Sequence, residues 1–309
     1  MKKILSLTLV VILLFSFAVG CSSDNGQEAP PADTGNGTEA PPADDVEETP
    51  DFDTSQTINV ISREDGSGTR GAFVEIVGVE DADGNDDTYL EAVIQNSTNG
   101  VMTTVAGDEY SIGYISLGSL NDTVASVNVD GAEATTDNIK SGAYPISRPF
   151  NIAYQEGLAE LPQDFVNFIM SADGQAIVAD NSLIEAVDGA EAYEPAGLSG
   201  TIVVGGSTSV TPVMEKLSEA YEGLNDGVSI EIQSTGSSAG MTAAMEGSAD
   251  IGMASRDLKD SEKEALSYEA IAIDGIAVIV SNENPIRDLS MDEIQSIFLG
   301  ELTTWSEVE

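Results

Sequence analysis

Three times between residues 57 and 247 the chain runs an apolar-alternating stretch into a turn of glycine, serine and threonine, and then into helical spacing. "TINVIS" leads into "REDGSGTR" (63–70) and "GAFVEIV"; "GTIVV" leads into "GGSTSVT" and "PVMEKL"; "VSIEIQ" leads into "STGSS" and "AGMTAAMEG". Alternation predicts strands at 57–62, 201–204 and 228–233, and helices opening near Thr69, Pro212 and Ser238. Pro212 suits a first helical turn, where its missing N–H is not needed, and Val213, Leu217 and Ala220 recur on one face. Strands alternating with helices define an α/β fold.

Such turns have a chemistry. The free N–H groups at a helix N-terminus point outward at the positive end of the helix dipole. Glycine lets backbone approach a ligand, and hydroxyls add rotatable donors, so the turn suits an anion. Any α/β protein also favours Gly and a Ser or Thr cap there, so one such turn says little. Here three recur, one lies between Arg63 and Arg70, and "ADIGMASRDLK" sets Arg256 after a fourth strand-like run. With 11 basic residues in 309, three arginines beside such turns favour a tetrahedral oxyanion, which guanidinium groups bind bidentately.

Composition removes other readings. The chain carries 54 acidic residues and a formal charge of -43, which argues against a phosphate backbone as partner: no nucleic acid is expected. It has no histidine and one cysteine, which removes Ser-His-Asp triads, Cys-His dyads, ordinary zinc sites and internal disulfides. No catalytic residue, metal or cofactor is expected. Gly66, Gly68 and Gly71 satisfy G-x-G-x-x-G after a strand, but "VEDADGNDDTYLEAVIQ" follows, an acidic loop and a helix-like run instead of a strand ending in an acid. "DADGNDD" (81–87) has its glycine misplaced for a calcium loop, and Ala92 stands where the closing Glu belongs, so it reads as a solvated turn.

The first twenty residues form an export signal: "MKK", an apolar core, then Cys21. That cysteine suits lipidation as the mature N-terminus, although Ala18 stands where a leucine is usual; the alternative is an uncleaved anchor with an incidental cysteine. Residues 21–55 repeat Glu-Ala-Pro-Pro-Ala-Asp and read as a disordered acidic tether.

Several long motifs together resemble one family. "REDGSGTRGAF", "IGYISLGSL", "YPISRPF", "GGSTSVTPVMEKL", "STGSSAGMTAAMEGSADIGMASRDLK", "IAIDGIAVIVSNENP" and "IFLGELTTWSEV" resemble the phosphate-binding lipoproteins of bacterial high-affinity phosphate ABC transporters. The resemblance implies a two-lobe, type II periplasmic-binding-protein fold that closes on inorganic phosphate. It also implies a membrane permease as partner and a location outside the cytoplasm, held to the membrane by the lipid on Cys21. In that family the "GGSTSVTP" segment comes first and "REDGSGTR" later; here the order is reversed, which implies a circular permutant or a piece of a tandem array. One lobe would then be 57–142 plus 281–309 and the other 143–280, with "IDGIAVIVSN" and "AYPISRPF" as hinge crossings.

Carried over motif by motif, the phosphate-binding residues are Ser207, Thr208, Ser209 and Val210, then Ser237, Arg256, Arg63, Asp65, Ser67, Gly68 and Thr69. Some relatives place an aspartate at the position of Arg256. Asp65 is expected to accept a hydrogen bond from a protonated oxyanion and so to reject sulfate, or else to orient Arg63. The competing readings are a receptor for another oxyanion such as sulfate or molybdate, a phosphate-ester enzyme, and a surface protein that keeps the fold without binding. The enzyme reading lacks a nucleophile–base pair. "IFLGELTTWSEV" and "RPF" are expected to be packing, with Ile294, Ile297, Phe298 and Trp305 in the core.

Overall fold

The computed structural model describes residues 52–308. The export signal, Cys21 and most of the tether lie outside the described residues. The strands are β1 (Asn59–Arg63), β2 (Val93–Gln95), β3 (Ser111–Ser116), β4 (Ala125–Ser126), β5 (Asn128–Val129), β6 (Ser147–Tyr154), β7 (Ile184–Glu185), β8 (Ser199–Gly206), β9 (Gly227–Ser234), β10 (Ile251–Ala254), β11 (Ser267–Val280) and β12 (Asp288–Leu289). The α-helices are α1 (Gly68–Val77), α2 (Thr98–Ala106), α3 (Thr136–Ser141), α4 (Glu160–Ile169), α5 (Ala172–Asp180), α6 (Thr211–Leu224), α7 (Ser237–Glu246), α8 (Asp260–Ala265) and α9 (Met291–Leu299).

The main sheet runs β2-β1-β3-β11-β6-β10-β8-β9. Parallel pairs lie toward its two ends, β1 with β2 and β3, and β8 with β9 and β10. Antiparallel β11 and β6 sit between them. Parallel strands need a crossover, and here helices supply it, which is why each strand–turn–helix unit of the sequence recurs as a structural unit.

Two apolar cores flank the centre. One gathers Val60, Phe73, Val101, Tyr114, Ile294, Ile297, Phe298 and Trp305; the other gathers Phe150, Phe165, Ile202, Val204, Val213, Leu217 and Tyr221. β11 feeds both, Ile271 and Ala272 to the second and Ile276 to Val280 to the first. In the first core Phe73 stacks on Tyr114 at 4.0 Å and meets Phe298 edge-on at 4.7 Å. Such pairs add about 0.5–1.5 kcal/mol each beyond burial. The helix α9 that brings Phe298 there is set by a Ser290–Glu293 capping box and stopped by Gly300 in the left-handed region.

Two local details differ from expectation. Phe52, inside the span that the sequence reads as tether, packs its ring on Tyr110 and Trp305 at 5.1 and 6.0 Å. The helix-like run after the acidic loop is instead a turn and the edge strand β2, whose β-branched Val93 and Ile94 suit a strand paired on one side.

Candidate functional site

Four helix starts meet between the two cores. Thr69, in the first turn of α1, bonds Ser209 through hydroxyl oxygens 2.8 Å apart. Thr98, the first residue of α2, lies 3.2 Å from the Ser209 hydroxyl and 3.3 Å from that of Thr208. Ser207, ahead of α6, donates to the Ser255 hydroxyl at 2.8 Å, and Ser237, the first residue of α7, accepts from the Ser255 N–H at 3.2 Å. These side chains belong to opposite halves of the sequence, and Ser207, Ser209, Ser237, Ser255, Thr69 and Thr98 are all buried. Helices α6 and α7 begin without a side-chain cap, whereas Ser67 and Ser97 cap α1 and α2. The result is a nest of hydroxyls where four positive helix ends converge.

Arg63 supplies the full charge. It is 2 % exposed, donates from Nη2 to the Thr208 hydroxyl at 3.0 Å, and is gripped from behind by Glu64 through bonds of 2.8 and 2.9 Å. Its backbone carbonyl accepts from Arg70 at 2.8 Å, and Arg70 is held in turn by Asp86 at 2.6 Å. Salt-bridged Asp86 sits below the usual carboxylate range: burial opposes this, but the bonds from Arg70 and Thr88 outweigh it. Behind Arg63, burial pushes the Tyr114 phenol up to about 12, so the hydroxyl that meets Ser62 at 2.8 Å stays protonated at any ordinary pH.

Close approach of the two sides depends on glycine. A Cβ on Gly68 would fall 2.3 Å from the Ser237 Oγ and 2.8 Å from that of Ser255. Gly206 adopts φ 141° with its Cβ position 2.3 Å from the Met253 carbonyl, so no other residue fits at the end of β8. A backbone bond from Ser238 N–H to the Gly66 carbonyl, 3.1 Å, joins the turn before α1 to the start of α7.

Among the expected binding residues, Arg63, Thr69, Ser207, Thr208, Ser209 and Ser237 come together, with Gly68 packed against them and Val210 buried behind, its N–H donating to Ser207 at 3.4 Å. Ser67 is buried, but its hydroxyl caps α1 by accepting from Arg70 N–H. Two residues stand elsewhere. Asp65 has a fully exposed side chain whose carboxylate lies 3.6 Å from Arg70. Gly66, at φ 85°, turns the chain there, so Glu64 rather than Asp65 holds Arg63. Arg256 is claimed by Glu262, with bonds of 2.7 and 2.8 Å, and otherwise donates to the Asp257 carbonyl at 2.9 Å and the Ser238 hydroxyl at 3.4 Å. Thr98 and Ser255 join the nest without having been singled out. The signal for Thr98 was a fourth unit, "VIQNSTNG", a strand meeting Ser and Thr at a helix start. "DADGNDD" folds as a turn in which one Asp81 carboxylate oxygen accepts from the N–H groups of Asp83 and Asn85, both at 2.9 Å.

A buried hydroxyl nest between two α/β cores that share crossing strands defines a solute-binding protein, and residues 45–173 and 191–309 match the PBP-like domain of the PBP superfamily. More specifically, the chain belongs to the PstS family of phosphate-binding proteins. It is 51 % identical over 258 residues to phosphate-binding protein PstS 2 of Streptococcus pneumoniae, covering 82 % of this chain and 89 % of that one. Against the PstS 2 of Streptococcus agalactiae serotype V it is 49 % identical, covering 82 % and 88 %. A crystal structure of a phosphate-binding protein of a phosphate ABC transporter from S. pneumoniae superposes with TM-score 0.67 at 51 % identity, covering 82 % of this chain and all of that one. No helix of the described residues is long and apolar enough to cross a membrane.

Proposed function

We propose that this chain is an extracytoplasmic receptor that closes on inorganic phosphate and hands it to the membrane permease of a phosphate ABC transporter. The observation that carries this is the convergence of four helix starts and buried Arg63 on one nest of hydroxyls. Neutral hydroxyls and N–H groups can satisfy every oxygen of a tetrahedral oxyanion, and Arg63 offers the single buried guanidinium aimed at Thr208. The names of the streptococcal relatives support phosphate as that oxyanion.

The binding set in this reading is Arg63, Thr69, Ser207, Thr208, Ser209 and Ser237 with Thr98 and Ser255, and the backbone of Gly68 and Val210; Ser67 and Arg256 support it from outside, and Asp65 drops out. The lobes are those two apolar cores, hinged where β6 and β11 cross. The order of the halves, with 57–196 ahead of 200–309, is in this reading a permutation of the arrangement that the resemblance implies, and one shared with the PstS 2 of S. pneumoniae, which the chain matches straight through over 258 residues. Cys21 carries a lipid that holds the receptor to the membrane. In this reading the protein is a carrier, and the nest's serines, which bond one another and the loop backbone, serve as ligand donors.

Calorimetric titration of residues 50–309, unfolded and refolded to strip ligand, tests the reading. One-to-one heat with phosphate and none with sulfate is expected. Equal binding of sulfate or molybdate would make it a general oxyanion receptor, and a folded protein silent to all three would remove the function. Release of phosphate from a model ester would restore the enzyme reading.

A further inference from the structure

β2 is the last strand at its end of the sheet, so its outer edge has no sheet partner among the described residues. An open edge invites another surface, and proteins normally blunt it. This one instead carries Val93 and Ile94, 46 % and 49 % exposed, with Leu90 in the adjoining turn 98 % exposed. Beside them run Glu80, Asp81, Asp83, Asp86, Asp87 and Glu91, with no lysine or arginine between 80 and 91. An apolar strip of this kind, rimmed by charge, marks an interaction site more readily than scattered exposed residues do.

Charge decides what covers it. A second copy would bring the same acidic turn face to face, in which Arg70 pairs with Asp86 alone of the six carboxylates, and add another -43. The chain's own segment 22–51 holds nine acidic residues and no basic one, so it is repelled as well. A partner must be basic around an apolar centre. We propose that the β2 edge and its acidic turn are the docking face for a basic, apolar-centred surface on the outer side of the permease, an inference that rests on the receptor reading above.

The patch is wired to the nest. Glu64 N–H donates to the Gln95 carbonyl at the end of β2, 3.1 Å, and Glu64 grips Arg63. From the acidic turn, Asp86 holds Arg70, which bonds the Arg63 carbonyl. A permease seated here therefore bears on the two residues that set the position of the buried guanidinium.

The test is phosphate uptake into vesicles holding the permease, supplied with limiting full-length receptor, beside calorimetric phosphate affinity. Leu90→Ser with Ile94→Thr removes the apolar strip; Asp83→Lys with Asp87→Lys reverses the rim; Met245→Ser with Tyr268→Ser, exposed residues on α7 and β11, is the control. Both patch variants are expected to lose about tenfold or more of uptake while phosphate affinity stays within about twofold, as in the control. Wild-type uptake should also fall as salt rises, as it does for charge-steered docking. Normal uptake by both patch variants would overturn the docking face and leave the receptor reading standing. Dimers of wild-type receptor that the Leu90 variant dissolves would overturn it in favour of a second copy. A wild type that binds no phosphate would overturn both.

Discussion

Arg148 on β6 and Asp274 on β11 sit opposite each other in the register of the two crossing strands, with Nη2 3.1 Å from Oδ2 and both side chains at most 1 % exposed. Asp274 is further tied to the Ser116 hydroxyl at 2.9 Å, so strands on both sides of β11 fix it. Burial dominates at each partner: it pushes the carboxyl up and the guanidinium down, against the pull of the pair itself. One guanidinium nitrogen, Nη1, finds no hydrogen-bond partner.

A charge pair whose burial outweighs its attraction is a poor stabiliser but a costly thing to break. Asp274→Ala should destabilise the protein by about 3–5 kcal/mol, because it strands the buried guanidinium, whereas Arg148→Met with Asp274→Leu should be neutral or better. The sign with pH follows from the raised carboxyl. The wild-type pair contributes most below the ordinary carboxylate value of about 4 and loses that contribution as pH rises through the raised value. The double variant should therefore gain on wild type as pH rises through that window. Urea unfolding across the range measures this, and a double variant as unstable as Asp274→Ala would sink the argument.

Gly68 separates fold from closure. A methyl there collides with the hydroxyls of Ser237 and Ser255 across the cleft. Gly68→Ala should keep its unfolding midpoint, since alanine is a better helix residue than glycine by about 0.5–1 kcal/mol. Phosphate affinity should drop about tenfold or more, the scale of a 1.4 kcal/mol misfit. A variant that binds phosphate as tightly as wild type would show that the two sides need not approach this closely.

Much of this arrangement was legible. β8, β9 and β10 fall within two residues of the alternating runs, because strands there have a period of two and end at glycine or serine. The nest followed from strand ends that carry hydroxyls into helix starts. What escaped was side-chain direction within turns. "REDG" offers two carboxylates one residue apart, and only the left-handed Gly66 decides that Glu64 faces Arg63 and Asp65 faces water. Likewise Arg256 looks free beside its turn, yet Glu262, six residues on in the first turn of α8, captures it. The short strand β2 was hidden because three residues are too few to show a period. Thr98 was lost with it.

The two carboxylates can be told apart in solution. Asp65→Asn removes an exposed charge and should change phosphate affinity less than about twofold, as exposed substitutions usually do. Glu64→Gln loosens the doubly bonded grip on Arg63 and should cost about 1.5–3 kcal/mol of binding, the worth of a charged hydrogen bond. It should also narrow the preference for phosphate over sulfate, because an acceptor beside the nest penalises an anion with no proton to donate. Titration of both variants with both anions decides it. A large effect of Asp65→Asn with none of Glu64→Gln would restore the sequence expectation.

The net charge of -43 sets the kinetics rather than the chemistry of capture. Once inside, phosphate meets donors at contact distance in a buried nest, where salt hardly reaches. On approach it meets a like-charged surface, screened beyond about 8–10 Å at physiological salt and over some 30 Å at 0.01 M. Stopped-flow association should therefore slow as salt is lowered, by severalfold between 0.15 and 0.01 M, while the dissociation rate stays nearly constant. Faster association at low salt would mean that the four helix ends and Arg63 project a positive field through the cleft mouth strong enough to overcome the surface around it.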